Sequence, residues 1–332
     1  MWRNILSEIA QRLTEAAYRY IPASGAETVV LTAPLKPHET RLLDKYQGDL
    51  YKLYNFVLRY GVAPANWYTY RGRLRRTVTK DSLGRMALGA TKVLRRLFSR
   101  SATREAMVVY RGVGHYGEFG GSGTAPGTFP SIPKDKTLDA DRLEVNLRAM
   151  QAKLRGYAYT YKKFISTSRH ARGIVPFVYT RNPSIVWRFL VPAKTPALDL
   201  TALMTLTGAA AKNPYSSVTF KAREAERELL FPPGTAISVV DIQVAHPSRP
   251  PATDPAWREA YADSRLAYTQ QEVQDFYQAF DMHDWEINGV EEWIAHPVYI
   301  VTATLTAPMV RDNEPLPDIE PDNPLDAPDE LE

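Results

Sequence analysis

The amino-acid sequence predicts an α+β fold, in which helices come first and a mainly β region follows. Over the first hundred residues, apolar side chains recur three and four positions apart, which is the period of an α-helix. From residue 107 onwards, short apolar runs rich in β-branched residues are separated by turn residues, as in sheets. Because the helices are grouped at one end instead of alternating with the strands, a parallel α/β fold is not predicted.

Three amphipathic helices are predicted before the strands begin. The first lies within residues 1–21, and acidic side chains on its polar face favour docking onto the protein itself over a membrane surface. After a linker rich in Pro, Gly and Ala near 22–37, helical spacing recurs over residues 43–60. The third helix covers about residues 81–99. Its inward-facing residues are Leu83, Met86, Ala90, Val93, Leu94 and Leu97.

The β region is predicted from seven short runs. In chain order they are AMVVYRG, FISTS, IVWRFLVP, ALDLTAL, RELLFPPG, AISVVDIQV and VYIVTATL, with a helix at about residues 141–157 after the first. These runs divide the chain into an N-terminal helical region (1–104), packed on a core (105–306) that carries a helical insertion (247–295). Residues 307–332 are acidic and rich in proline, with too little apolar surface to fold, so this tail is expected to be disordered.

Composition and charge exclude several classes of site. The 332 residues contain no cysteine, which excludes disulfides, thiolate metal sites and cysteine nucleophiles. The net charge is +4, but residues 311–332 carry nine acidic residues and one arginine, so the rest of the chain carries about +12. Basic clusters such as RGRLRR at 71–76 could meet nucleic acid or an acidic partner, or could be solvated helix faces.

Membrane insertion and metal binding are not predicted. No stretch approaches the roughly 20 consecutive apolar residues of a membrane span, and charged residues interrupt any signal-peptide core near the N-terminus. The six histidines are scattered without the H-E-x-x-H spacing of a zinc site, so no protein-built metal site is expected.

A glycine pattern follows the first predicted strand. Gly112, Gly114 and Gly117 have the spacing G-x-G-x-x-G, which in a dinucleotide-binding βαβ unit opens a helix whose amides hold the pyrophosphate. Here EFGGSGTAPGTFPSIP follows, and its glycines and prolines do not allow a first helical turn. The pattern therefore predicts a loop after a strand, and Arg111 becomes the residue of interest.

Three short blocks carry the functional prediction. They are VVYRGVG with Arg111, FISTS with Ser166, Thr167 and Ser168, and EAERELLFPPGT with Glu226 and Glu228. Each block alone has an ordinary explanation, as a strand end, a hydroxyl cluster at a strand edge, or two carboxylates on one strand face. Together, in this order, they resemble the Arg-Ser-Glu class of mono-ADP-ribosyltransferases, the group similar to cholera toxin that includes bacterial toxins and phage enzymes. The resemblance covers roughly residues 105–245.

The resemblance implies a fold, a reaction and a set of site residues. The fold would be two packed, mainly antiparallel sheets that form an NAD cleft, with the N-terminal helices packed on it. The reaction would break the bond between nicotinamide and ribose through an oxocarbenium-like state, and Glu228 would stabilise that positive charge. Arg111 would bind the phosphates, Gly112 would allow close approach of the nicotinamide, and Ser166 would hydrogen-bond Glu228. The further candidates for contact with NAD are Thr167, Ser168, Arg169, Arg172, Phe177 and Arg181.

The acceptor of ADP-ribose is predicted from the residue two positions before Glu228. In the resembling family a glutamate two residues before the catalytic one accompanies modification of arginine, so Glu226 implies a protein arginine as acceptor. Acceptors that would use the same NAD chemistry are a nucleic acid, another side chain, or water, as in an NAD glycohydrolase toxin. A non-catalytic alternative is a pseudoenzyme or virion structural component that has lost activity. The expected site of action is a cytoplasm, reached by synthesis there or by delivery from a bacterium or phage. The oligomeric state is not predicted.

Overall fold

The computed structural model describes residues 29–31, 35–46, 50–60, 80–113, 140–169, 184–207, 227–245 and 298–308. The predicted first helix, the insertion and nearly all of the acidic tail lie outside the described residues, as do the basic cluster at 71–76 and the loop that contains Gly114 and Gly117.

Five α-helices lie in the described part of the chain. They are α1 (Pro37–Lys45), α2 (Tyr51–Tyr60), α3 (Lys80–Leu97), α4 (Ala140–Leu154) and α5 (Leu200–Thr207). At the start of α1, proline occupies a position that needs no N–H, and Glu39 Oε2 accepts a hydrogen bond from Lys36 N at 2.7 Å. The helical spacing over residues 43–60 thus belongs to two helices. In α3, Met86 is 41% exposed although it was expected to face inwards, and Ala87 is buried in its place.

Ten strands lie in the described residues. They are β1 (Val29–Leu31), β2 (Ser101–Thr103), β3 (Met107–Val113), β4 (Ala158–Tyr161), β5 (Ile165–Ser168), β6 (Ser184–Val191), β7 (Leu198–Asp199), β8 (Glu228–Phe231), β9 (Thr235–Ala245) and β10 (Val298–Thr306). Strands β1 and β2 form a small antiparallel sheet. The other eight form one sheet in the order β4-β9-β10-β6-β3-β5-β8-β7, in which β6 and β10 are parallel and the other neighbours are antiparallel.

The large sheet consists of two halves joined at one point. Strands β3 and β6 pair over seven residues, whereas β3 and β5 share the single register pair Tyr110 and Ser168. Five strands lie on one side of this junction and three on the other. The prediction of an α+β fold with mainly antiparallel pairing is confirmed, and the strands predicted as two sheets are hydrogen-bonded as one continuous eight-stranded sheet.

Two buried clusters hold the helices against the sheet. The first joins both halves of the sheet to α4, with Val109, Phe189, Leu229 and Val301 packed among Met150 and other apolar side chains. The second joins α1, α2 and α3 to the three-stranded half. Its members include Leu43, Leu53, Leu94, Phe164, Leu198 and Leu230. Strand β8 is therefore buried on both faces, since Leu229 belongs to the first cluster and Leu230 to the second.

The run ALDLTAL differs from its prediction as a strand. Only Leu198 and Asp199 are extended, and α5 begins at Leu200. Asp199 Oδ1 accepts a hydrogen bond from Ala202 N at 2.9 Å, which is the arrangement of an N-cap residue. One aspartate thus starts a helix in a run that otherwise has the composition of a strand. The predicted region boundaries at residues 104 and 306 stay predictions.

Burial of Tyr54 in the second cluster predicts a loss of stability at alkaline pH. Desolvation raises the pKa of this hydroxyl from 10.0 to about 12. Below pH 10 the residue is neutral in both the folded and unfolded chain, and above it the unfolded chain ionises first, so folding weakens as the pH rises towards 12. The full effect is up to about 3 kcal/mol. We expect Tyr54→Phe to reduce the alkaline fall in the free energy of unfolding, measured by denaturant titration between pH 8 and 11.

The control for this measurement is Tyr51→Phe, because Tyr51 lies on the same helix but is 43% exposed. It should keep the alkaline fall of the wild type. An unchanged pH dependence in Tyr54→Phe would contradict the explanation by burial.

Candidate active site

Ser166 and Glu228 meet across the β5 and β8 pair. The register sets Ser168 opposite Glu228 and Ser166 opposite Leu230, so these side chains share one face of the sheet. Ser166 Oγ donates a hydrogen bond to Glu228 Oε1, with 2.6 Å between the two oxygens. This is the contact that the family resemblance implied. Glu228 is buried, and its carboxylate therefore has a fixed position rather than a solvated one.

Arg111 reaches the same place from β3. The single pair of Tyr110 and Ser168 brings the end of β3 beside β5, and Arg111 Nη1 donates a hydrogen bond to Ser166 O at 2.6 Å. Arg111 and the next residue, Gly112, are partly exposed. The guanidinium and the carboxylate thus lie on either side of Ser166, one bound to its backbone and the other to its hydroxyl.

Thr167 lies on the opposite face of β5 from Ser166. Its hydroxyl is buried and donates to Leu229 O at 3.0 Å, so it supports the pairing of β5 with β8. This position does not bring the Thr167 hydroxyl to the face that carries Glu228. Ser168 is buried on the Glu228 face.

Several predicted site residues fall outside the described part of the chain. Glu226, Arg172, Phe177 and Arg181 are among them, and their roles stay predictions. Arg169 is described and is buried, with Nη1 3.3 Å from Asp199 Oδ2. Burial lowers the pKa of this guanidinium, and the Asp199 carboxylate acts in the opposite direction.

Tyr46 and Asn55 belong to the site but were not among the predicted residues. Tyr46 packs edge-on against Phe164 and lies close enough to Glu228 and Arg111 for both charges to act on its hydroxyl. Burial, followed by the Glu228 charge, raises the pKa of Tyr46 well above 10, while Arg111 and a hydrogen bond with Asn55 lower it. Asn55 Oδ1 also accepts a hydrogen bond from Phe164 N at 3.1 Å.

Two further properties of the described residues bear on the class of protein. They contain no cluster of three or more histidine, aspartate or glutamate side chains that could hold a metal ion. None of the described helices is both long enough and apolar enough to span a bilayer.

Comparison with known protein families connects this geometry to an activity. The sequence profile described as ADP-ribosyltransferase exoenzyme matches residues 24–254, which is more than two thirds of the chain and includes all three sequence blocks. The chain belongs to the ADP-ribosyltransferase exoenzyme family. The family resemblance stated from the sequence is thereby confirmed, and the chain is an enzyme of the class that uses NAD. No curated protein sequence matches the chain significantly.

Solved structures of other ADP-ribosyltransferases are similar at low sequence identity. The toxin Plx2a from Paenibacillus larvae is 11% identical, with a TM-score of 0.44 and coverage of 91% of this chain and 96% of that one. C3stau2 from S. aureus, solved with NAD, is 10% identical, with a TM-score of 0.41 and coverage of 83% and 90%. BECa of a binary enterotoxin of C. perfringens, solved with NADH, is 15% identical, with a TM-score of 0.43. That match covers 82% of this chain, which spans 44% of the length of BECa.

The residues at the site fit NAD as the co-substrate of this family. A partly exposed guanidinium next to a glycine offers donors for an anionic diphosphate. A buried carboxylate held by a hydroxyl offers fixed negative charge for a sugar that becomes cationic. Both groups hydrogen-bond to Ser166, so a single bound molecule can reach them together.

Proposed function

We propose that this ADP-ribosyltransferase transfers one ADP-ribose from NAD to a protein side chain, with release of nicotinamide, and that the acceptor is an arginine. The observation that carries the proposal is the hydrogen bond from Ser166 to Glu228, beside an arginine bonded to the Ser166 carbonyl. Family membership supplies the reaction class. The glutamate at position 226 is the reason for proposing arginine as the acceptor.

Glu228 is the proposed catalytic carboxylate. Positive charge develops on the ribose as the glycosidic bond to nicotinamide breaks, and a fixed carboxylate stabilises this transition state more than the ground state. Ser166 acts as the residue that keeps the carboxylate in one rotamer, since its hydroxyl donates to Glu228 Oε1. Tyr46, the residue after α1, and Asn55 of α2 are hydrogen-bonded to each other near Glu228, and burial raises the pKa of the Tyr46 hydroxyl.

Arg111 is the proposed ligand for the NAD phosphates, with Gly112 leaving room for the nicotinamide end. A lysine keeps the charge but loses the planar, two-pronged donor set. We expect Arg111→Lys to raise the KM for NAD about tenfold to a hundredfold, which is the range for loss of a charged hydrogen bond, with a smaller change in kcat. The measurement is steady-state NAD hydrolysis.

The matched control for this variant is Arg96→Lys, because Arg96 is exposed on α3. It should leave both constants unchanged. A KM for NAD that is the same in Arg111→Lys as in the wild type would contradict the assignment of Arg111 to the phosphates.

The proposed acceptor rests on Glu226. Glu226 lies two residues before Glu228, the position at which a glutamate in the resembling family accompanies modification of arginine. A carboxylate there can orient a guanidinium and remove its proton. The excess of basic residues outside the acidic tail supports a nucleic acid as the second candidate, because phosphates would be attracted to such a surface.

One experiment separates these acceptors. The protein is incubated with labelled NAD and a cell lysate, the products are divided and digested with protease or nuclease, and labelled peptides are sequenced by mass spectrometry. The proposal predicts protease-sensitive label on arginine. Nuclease-sensitive label would favour a nucleic acid, label on another side chain would refute the arginine assignment, and hydrolysis of NAD without label would indicate a glycohydrolase.

The place of action and the chain organisation follow as proposals. We assign catalysis to residues 105–306, with the N-terminal helical region as a supporting layer, on the basis of the cluster that joins α1, α2 and α3 to Leu198 and Leu230. We propose action in the cytoplasm of a target cell after delivery by a bacterium, the route of the family's toxins, with phage delivery as a further possibility.

A further inference from the structure

The residue before Glu228 has an unusual backbone conformation. Arg227 has a φ of 47°, in the left-handed region that favours glycine. Among the described residues, the other non-glycine residue with positive φ is Lys194, in an exposed turn. A left-handed arginine beside a catalytic carboxylate persists only where its surroundings hold it, and such residues cluster at functional sites.

Both polar groups of the peptide bond between Arg227 and Glu228 have partners outside β8. Arg227 O accepts a hydrogen bond from Arg169 N at 3.1 Å. Glu228 N donates to Thr201 Oγ1 at 3.0 Å, and this contact is buried. The register of β7 and β8 ends at the pair of Asp199 and Leu229, so no strand carbonyl of β7 is paired with Glu228. The Thr201 hydroxyl, in the first turn of α5, takes the place of that carbonyl.

Asp199 links the two groups that hold this peptide. Its Oδ1 accepts from Ala202 N and so begins α5, the helix that carries Thr201. Its Oδ2 lies 3.3 Å from Arg169 Nη1, which fixes the residue whose backbone binds Arg227. Asp199, Thr201 and Arg169 are all buried. A single carboxylate therefore connects the end of β5, the start of α5 and the start of β8.

We infer that Thr201, Asp199 and Arg169 are positioning residues for Glu228. They hold the Arg227–Glu228 peptide, with Arg227 in its left-handed conformation, and thereby fix the direction of the Glu228 carboxylate. This inference rests on the proposed catalytic role of Glu228. Ser166 fixes the carboxylate end of the side chain, and the peptide contacts fix the Cα end. With both ends held, the carboxylate needs no rearrangement when charge develops on the ribose.

The first test removes the Thr201 hydroxyl while keeping the side-chain shape. Thr201→Val leaves Glu228 N buried without its partner, and a displacement of about 1 Å at a catalytic group can lower the rate up to about a hundredfold. We expect kcat for NAD hydrolysis to fall about tenfold or more, with the KM for NAD within about twofold of wild type because the NAD contacts stay in place. Thr201→Ser, which restores the acceptor oxygen, should recover most of kcat.

The matched control is Thr195→Val. Thr195 is buried to the same degree as Thr201, at 6% and 7% exposure, and its hydroxyl donates to Pro192 O in a turn. It loses a hydroxyl from a similarly buried side chain away from Glu228, so it should retain the kcat of the wild type. Equal losses of kcat in Thr195→Val and Thr201→Val would overturn the inference in favour of general destabilisation.

A second series tests the backbone of Arg227 and does not depend on the folding of Thr201→Val. Glycine and asparagine adopt positive φ readily, whereas a β-branched residue does not. Arg227→Gly and Arg227→Asn should keep kcat within about threefold of wild type, and Arg227→Val should lower it about tenfold or more. An equal loss in all three variants would show that the arginine side chain matters, which would overturn the role of the left-handed conformation.

Two outcomes separate the catalytic role of Glu228 from the positioning inference. If Glu228→Gln abolishes NAD hydrolysis while Thr201→Val and Arg227→Val retain the wild-type kcat, the positioning inference is wrong and the catalytic role of Glu228 stands. If Glu228→Gln itself retains the wild-type kcat, the proposed function of Glu228 is wrong, and the positioning inference is overturned with it.

Discussion

Replacement of Glu228 by glutamine is expected to lower kcat at least about a hundredfold for both NAD hydrolysis and transfer of ADP-ribose. Glutamine has nearly the same shape and can still accept the hydrogen bond from Ser166 Oγ. It lacks the negative charge, so the ribose loses its stabilising partner as nicotinamide leaves. Because the NAD contacts proposed for Arg111 are unchanged, the KM for NAD should change much less than kcat. Both constants can be measured from the release of nicotinamide.

A charge-matched control accompanies this variant. Glu105 is exposed between β2 and β3, and Glu105→Gln removes the same charge from the chain without touching the site. It should have wild-type constants. Hydrolysis by Glu228→Gln at the rate of Glu105→Gln would show that the carboxylate of residue 228 does not stabilise the transition state.

Replacement of Glu226 by glutamine is expected to separate the two activities. Transfer to a protein arginine, or to a small guanidine compound, should fall at least about a hundredfold, since a neutral amide neither removes a proton from a guanidinium nor pairs with its charge. Hydrolysis of NAD should stay within about threefold of wild type, because Glu228 performs the cleavage. Both reactions are measured on the same preparation, so hydrolysis is the internal control for folding.

Two results would contradict the assignment of Glu226. A parallel fall of hydrolysis and transfer would place Glu226 in the cleavage step and not at the acceptor. Unchanged transfer to the guanidine compound would remove the basis for proposing arginine, and the acceptor experiment with protease and nuclease would then decide among the alternatives.

The sequence predicted the strands well where composition alone determines them. Long runs of β-branched and apolar residues form β6, β9 and β10 as expected. The run ALDLTAL was predicted as a strand because its composition fits one, but the cap formed by Asp199 begins a helix two residues into it. A side-chain contact to a single N–H thus overrides the propensity of the whole run. The helical spacing over residues 43–60 gave the correct element type but not the division into α1 and α2.

Only the site residues that lie in short sequence motifs could be predicted. Arg111, Ser166 and Glu228 were recognised from three blocks in a fixed order, and the structure brings them together. Tyr46 lies more than a hundred positions before Ser166, directly after α1, and is also a member of the second buried cluster. Thr201 binds Glu228 N because the pairing of β7 with β8 ends at Asp199 and Leu229, one residue before Glu228. No local sequence pattern indicates where that pairing ends.

The central claim is that the Glu228 carboxylate lies beside the nicotinamide ribose of bound NAD. The most direct test is a crystal structure of the wild-type protein with an NAD analogue that cannot be cleaved. The account predicts a Glu228 carboxylate oxygen at hydrogen-bonding distance, about 2.6–3.2 Å, from the 2′-hydroxyl of that ribose, with the Arg111 guanidinium facing the diphosphate. A ribose bound out of reach of Glu228, or a diphosphate bound away from Arg111, would contradict it.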